Sequence, residues 1–307
     1  MSTGKWILHE VGLRDGLQME KQTVPTEKKT EWIRALAANG VDIIQVGSFV
    51  HPVKVPQMAD TDRLFQILAA PDAVPPGVIL SALVLNEKGL ERGLACGVQM
   101  YCLGVSASET HSMKNTGMSV ADATERIIAT AQRAIAEKKQ VQVSVQSAFG
   151  CGFEGAVPQD RVLGIVRRYA DAGLRHISLA DTAGHASPDQ VKRMYESVLA
   201  VDDSLDLACH FHNTYGMGLA NCYAAMSAGV STFESSVAGL GGCPFTKVAG
   251  GNVCTEDLVH MWQRMGIRND VHLHGLLNVA HSFVEWFQRD MPGTVYRTGG
   301  IPRGGHT

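Results

Sequence analysis

Eight short runs of apolar, β-branched residues recur along this 307-residue chain, and each is followed by a longer stretch with helical periodicity. The runs are WILHEV (6–11), DIIQVGS (42–48), VILSALVL (78–85), GVQMYCLGV (97–105), VQVSVQS (141–147), HISLAD (176–181), LACHFH (207–212) and TFESSVAG (232–239). Helices are expected over 26–40, 60–70, 86–95, 118–138, 158–173, 187–200, 215–228 and 255–265. In the first of these, Thr26 is placed to cap the start and Gly40 to stop the end at C′. Strand–helix alternation of this kind implies the α/β class with a parallel sheet. Eight units in about 265 residues match a single (β/α)₈ TIM barrel. The competing arrangement, an open doubly wound sheet, lacks a GxGxxG after the first strand. A further helical segment near 270–289 makes a C-terminal helical extension. Residues 1–290 are therefore expected to form one catalytic barrel domain, and 291–307 a Gly-rich tail, mobile or capping the barrel.

Composition narrows the partners. The net charge of −3 and the 19% of charged residues leave no basic footprint for nucleic acid. No apolar run reaches the roughly 18 residues of a membrane span. The opening MSTGKWILHE does not have the pattern of a secretory signal. Seven cysteines, odd in number and sparse, suit free thiols in a reducing cytoplasm rather than a disulfide framework. No CxxC pair argues for zinc.

A barrel places active-site groups at the C-terminal ends of its strands. Strand 1 offers Arg14, Asp15 and Gln18, strand 2 Gln45 and Ser48, and strand 6 Asp181 and Thr182. Strand 7 offers His210 and His212, which share a face because residues i and i+2 of a strand point the same way. Two imidazoles at a strand end can simply be satisfied by hydrogen bonds. Facing Asp15 across the mouth, with the amide oxygen of Asn252 as a possible addition, they favour a divalent ion such as Mg²⁺ or Mn²⁺. Arg14 can neutralise an enolate oxygen or clamp a carboxylate, or it can form a plain ion pair. Cys243 lies in the glycine-dense loop GLGGCPFTKVAGGN (239–252), where a thiol can move a proton or merely pack. A second HxH, His272 and His274, falls in an expected helix outside the mouth and reads as solvated surface.

Together, EVGLRDGLQMEK, GSFVHPVKVPQMAD, ISLADTAG, HFHNTYGMGLAN and SVAGLGGCPFTKVAGGNVCTEDLV resemble the hydroxymethylglutaryl-CoA lyase family, from about residue 5 to residue 290. The RDG and HxH motifs are shared with condensing relatives. The GLGGCP loop is more specific to the lyases. The resemblance implies a barrel with a divalent cation, Mg²⁺ or Mn²⁺, held by Asp15, His210, His212 and Asn252. It implies retro-Claisen cleavage of an acyl-CoA, with Arg14 stabilising the enolate, Cys243 transferring a proton, and a histidine or Asp15 as base. Gln18, Ser48, Asp181 and Thr182 match polar positions around the substrate, Lys21 matches one near the acyl-CoA, and a homodimer is implied.

Four positions depart from the family pattern. Gln45 stands where the lyases carry a glutamate, and Asn213 where they commonly carry an aspartate. Ser144 and Gln146 lie near where an aromatic is usual. An amide at 45 and a wider strand 5 wall leave open a bulkier or more polar substrate, citramalyl-CoA or an isohexenylglutaryl-CoA being examples. The rival classes are an acetyl-CoA/2-keto acid synthase and a non-catalytic acyl-CoA-binding barrel.

Overall fold

The computed structural model describes residues 5–242 and 250–301. Eight parallel strands close into a barrel in sequence order. They are β1 (Ile7–Glu10), β2 (Ile43–Ser48), β3 (Ile79–Leu83), β4 (Met100–Ser106), β5 (Gln140–Gln146), β6 (His176–Asp181), β7 (Asp206–Phe211) and β8 (Thr232–Ser235). The helices are α1 (Thr26–Ala38), α2 (Thr61–Leu68), α3 (Glu87–Ala95), α4 (Glu109–Thr116), α5 (Val120–Ala136), α6 (Gln159–Asp171), α7 (Pro188–Leu199), α8 (Gly218–Ser227), α9 (Thr255–Arg264), α10 (Leu273–Phe287) and α11 (Val295–Thr298). No helix among the described residues is long and apolar enough to cross a membrane.

Strand alternation sorts the side chains. On β5, Val143 and Val145 are fully buried beneath the helical layer. Gln142, Ser144 and Gln146 point the other way and line the interior cavity. The apolar face of the extension α10 lies on α1, where the Trp32 and Phe283 rings stack with centroids 3.8 Å apart. At the closed end of the barrel, buried Arg268 donates to the carboxylate of Asp42 at 2.6 Å and to the carbonyl of Trp6 at 2.7 Å.

Local chemistry moved several expected boundaries. Thr26 does not cap α1: Pro25 holds the cap position, and the Thr26 hydroxyl donates to Asp60 at 2.9 Å. Gly40 does follow the end of α1, in the left-handed region at φ 93°. The last strand stops at Ser235 instead of running to 239, because two carboxylates draw the backbone aside. Glu10 accepts from the Val237 N–H at 2.9 Å and Glu256 from that of Ala238 at 3.1 Å. The additional helix α4 starts where the Ser108 hydroxyl accepts from the His111 N–H, a cap that the reading of this stretch passed over. In the tail, the N–H groups of Thr294 and Val295 donate to Asp257 of α9, and Met291 and Tyr296 are buried.

Candidate active site

After β1 the chain makes one wide π-helical turn, Gly12–Gly16. The Val11 carbonyl accepts the N–H groups of both Arg14 (3.0 Å) and Asp15 (2.7 Å). This turn aims two adjacent, oppositely charged side chains into the mouth. Arg14 Nη1 donates to Asp15 Oδ1 at 2.5 Å, and Arg14 Nε donates to Gln45 Oε1 from the end of β2. The guanidinium is thus held from two sides.

The end of β7 supplies His210 and His212, both buried. His212 Nδ1 donates to the Thr182 carbonyl at 2.9 Å. His210 Nδ1 pairs with Glu234 Oε2 at 2.9 Å. Burial raises the Glu234 pKa, but the hydrogen bond to His210 and the charges of His210, His9 and Arg14 together outweigh it and hold the carboxyl down at about 2. Glu234 is therefore an acceptor, and His210 Nδ1 carries the hydrogen. The two Nε2 atoms, whose rings are anchored through Nδ1, face each other at 3.2 Å. Such a pair needs a proton or a cation between or beside it. Asp15 Oδ2 stands 3.9 Å from His210 Nε2 and 3.7 Å from His212 Nε2. All three ligating atoms lie within 4.8 Å of one another. Against the effect of burial, the Arg14 guanidinium and the two histidines hold the Asp15 carboxyl well below the usual carboxylate range.

Asn252 reaches this cluster through backbone pairing. The N–H of Val253 donates to the Phe211 carbonyl at 3.0 Å and that of Asn213 to the Gly251 carbonyl at 2.8 Å, so 251–253 lies against the end of β7. Asn252 Nδ2 donates to Asp15 Oδ2 at 2.9 Å. Its Oδ1 is buried and has no hydrogen-bond partner among the described residues. A carboxylate, two imidazole Nε2 atoms and an orphaned amide oxygen form a donor set that fits a divalent cation. Gly241 allows the approach: its φ is 123°, and a Cβ there would stand 2.4 Å from Asn252 Nδ2.

The cluster opens into a cavity of about 640 Å³. Gln18, Gln45, Ser144, Gln146 and Thr182 line it, as do Arg14, Asp15 and both histidines. Three expected positions are placed elsewhere. Ser48 is buried off the cavity wall, donating to the Leu83 carbonyl and accepting no cavity-facing contact; its N–H bonds Thr61 of α2. Asp181 accepts the N–H groups of His185 and Ala186 and so braces the turn after β6. Lys21 is exposed and not part of the wall. Cys243 lies outside the described residues. His272 and His274 are exposed, away from the mouth.

Glu234 was missed by the sequence reading, with its supports Gln142 and Ser178, which both donate to Oε1. A signal existed. An acidic residue inside a buried apolar strand, TFES, is costly unless it is paired. Lys54 and Lys88, both exposed, add cations to the cavity lining, and Arg92 lines it while paired with Asp62.

A family model described as HMGL-like matches residues 5–283. A Pseudomonas aeruginosa protein named 3-hydroxy-3-isohexenylglutaryl-CoA/hydroxy-methylglutaryl-CoA lyase is 39% identical over 273 residues, 89% of this chain and 90% of its own. The mitochondrial hydroxymethylglutaryl-CoA lyase of Rattus norvegicus is 40% identical over 286 residues, 93% of this chain and 87% of its own. Among solved structures, an HMG-CoA lyase from Acinetobacter baumannii in complex with coenzyme A and 3-methylmalate superposes with a TM-score of 0.90 at 35% identity, covering 99% of this chain and 97% of that one.

Proposed function

We propose, from the premise that this chain belongs to the HMGL-like family and is a carbon–carbon lyase, that it cleaves 3-hydroxy-3-methylglutaryl-CoA to acetyl-CoA and acetoacetate. The observation that carries this reading is the convergence of Asp15, His210 and His212 beside a fixed Arg14. In this reading Asp15, His210, His212 and Asn252 hold a divalent cation, Mg²⁺ or Mn²⁺. When bound, the cation supplies Lewis acidity to the substrate's tertiary hydroxyl and a carboxylate oxygen.

The residues of the chain do the rest. The hydroxyl proton passes to a base drawn from Asp15 and His210. The C2–C3 bond breaks, its electron pair goes to the thioester fragment, and the former hydroxyl oxygen becomes the ketone of acetoacetate. Arg14, anchored by Gln45 and Asp15, neutralises the enolate oxygen of the departing acetyl-CoA. Its position requires no reorganisation when the charge develops. A proton then returns to C2, and Cys243 is the assigned donor. Gln18 and Thr182 bound the acyl group. Lys54 and Lys88 on the cavity lining suit the phosphates of coenzyme A. The same reading carries a homodimer and a cytoplasmic setting, the latter supported by the unpaired cysteines.

The test is release of acetyl-CoA from 3-hydroxy-3-methylglutaryl-CoA by purified, Mg²⁺-loaded protein with no keto acid added. Turnover supports the lyase. Free CoA appearing only when acetyl-CoA and a 2-keto acid are supplied would replace it with a condensing activity.

A further inference from the structure

The two sides of the cavity differ in chemistry. Its large apolar lining residues Phe49, Leu83 and Leu85 lie on the β2–β3 side, as do Lys54 and Lys88. That is the side on which a long, partly apolar acyl carrier ending in phosphates would lie. The side of β5 and β6, beyond the Asp15–His210–His212 cluster, carries uncharged polar groups beside one small apolar residue, Ala180: Gln142, Ser144 and Gln146 follow one another at alternate positions of β5, with Ser178 on the next strand. Gln142 is 2% exposed. Its amide nitrogen is committed to Glu234, while its Oε1 has no hydrogen-bond partner among the described residues. Room for this wall comes from Gly104 on β4, the register partner of Ser144: a Cβ there would stand 2.0 Å from Ser144 Oγ.

A substrate bound through its C3 hydroxyl and a carboxylate to the metal cluster, with its thioester towards the apolar side, turns its remaining C3 substituent to this wall. A methyl group there would bury a row of amides and hydroxyls against carbon, which is costly when the polar atoms lose water without gaining a partner. A carboxylate there would meet the buried Glu234 directly behind Gln142. We infer that the preferred substrate, within the lyase reading on which this rests, carries at C3 a neutral hydrogen-bonding group such as hydroxymethyl, seated against Gln142, Ser144 and Gln146.

The experiment compares kcat/KM for 3-hydroxy-3-methylglutaryl-CoA and its C3-hydroxymethyl analogue in the Mg²⁺-loaded protein, in Gln146→Leu and in Ser144→Ala. The expected ratio in the unaltered protein favours the hydroxymethyl compound by about tenfold or more. Gln146→Leu should bring the ratio to one or below. Because each ratio is internal to one protein, a loss of folded material cancels. Calorimetric binding of thioether analogues of both compounds, which keep the C3 hydroxyl but lack the thioester carbonyl needed for cleavage, should give the same ranking. Preference for the methyl compound, or a ratio unmoved in both variants, overturns the inference and leaves the lyase standing. Cleavage of neither compound overturns both.

Discussion

His210 and Glu234 share a buried hydrogen bond of 2.9 Å between Nδ1 and Oε2 that fixes which imidazole nitrogen faces the mouth. Glu234 is in turn gripped by Gln142 and Ser178, so the ring is set by three strands at once. Carboxylates behind metal-binding imidazoles typically alter affinity 10–100-fold. Glu234→Ala should weaken Mn²⁺ binding by about that factor while leaving Asp15 and His212 in place. Calorimetry or electron paramagnetic resonance of Mn²⁺ reads it directly, and unchanged affinity would contradict a positioning role for Glu234.

Removing the divalent ion should abolish turnover. Chelation followed by readdition of Mg²⁺ or Mn²⁺ should restore it, whereas Asp15→Asn should resist restoration, because an amide cannot replace the anionic oxygen facing both imidazoles. Activity surviving exhaustive chelation would sink the metal assignment.

Arg14 uses two different nitrogens on two different partners, Gln45 and Asp15. Lysine has the charge but not the fork. Arg14→Lys should lower kcat by about 10²–10³, the loss seen when a preorganised oxyanion donor is removed. Gln45→Leu, which frees the Nε side of the guanidinium, should lower kcat more than it raises KM. Gln45→Glu keeps an acceptor for Arg14 and should retain far more activity than Gln45→Leu. Equal rates in these two variants would show that Gln45 does not hold Arg14 for catalysis.

Burial pushes Glu10 up to about 7 and Glu256 up to about 8 from an ordinary 4.5. Above 4.5 the unfolded chain has released these protons and the folded chain still holds them. Each carboxyl therefore contributes stability that is complete below 4.5 and is lost as pH rises through 7 and 8 respectively, about 3 kcal/mol for Glu10 and about 5 kcal/mol for Glu256. Burial pushes His9 down to about 4, so its contribution is lost in the opposite direction, as pH falls from 6.5 through 4. Glu10→Gln retains an acceptor for the Val237 N–H and removes one alkaline loss. Thermal melts between about pH 5 and 9 should show a shallower decline in Tm for this variant. An identical slope would mean Glu10 is ionised in the fold.

Arg268 is buried and ties two separate stretches of chain, at Trp6 and at Gly40 and Asp42. Arg268→Ala leaves Asp42 its contacts with Lys5 and the Leu8 N–H but removes the donor to the Trp6 and Gly40 carbonyls, a cost of about 1–3 kcal/mol. Denaturant unfolding should show a loss of that size with the site geometry intact at low temperature. A loss under about 1 kcal/mol would mean water takes over the pairing.

Much of the site was legible because strand alternation is a local rule. His210 and His212 had to share a face, and Arg14 and Asp15 had to follow a strand end. The rule does not say what becomes of Ser48 and Asp181. The Ser48 hydroxyl donates to the Leu83 carbonyl and its N–H is bound by Thr61. Asp181 is claimed by two backbone N–H groups of its own turn. A pattern of residue types does not show which polar group a neighbouring N–H will capture.

The chain by itself pointed to the barrel, since eight alternating strand–helix units call for a parallel sheet covered on both faces and no GxGxxG follows the first strand to favour an open sheet. It also determined which residues stand at the mouth, and its motifs identified the family. The tertiary structure alone decided the long-range pairings: Glu234 behind His210, Asn252 against His212, Gln45 on Arg14 and the unclaimed oxygen of Gln142. The physical reason is that these are meetings across the barrel between residues 24 to 92 positions apart, from His210 and Glu234 at one extreme to Gln142 and Glu234 at the other. Hydrogen-bond geometry at such separations is set by register and closure, to which the local periodicity of a sequence is blind.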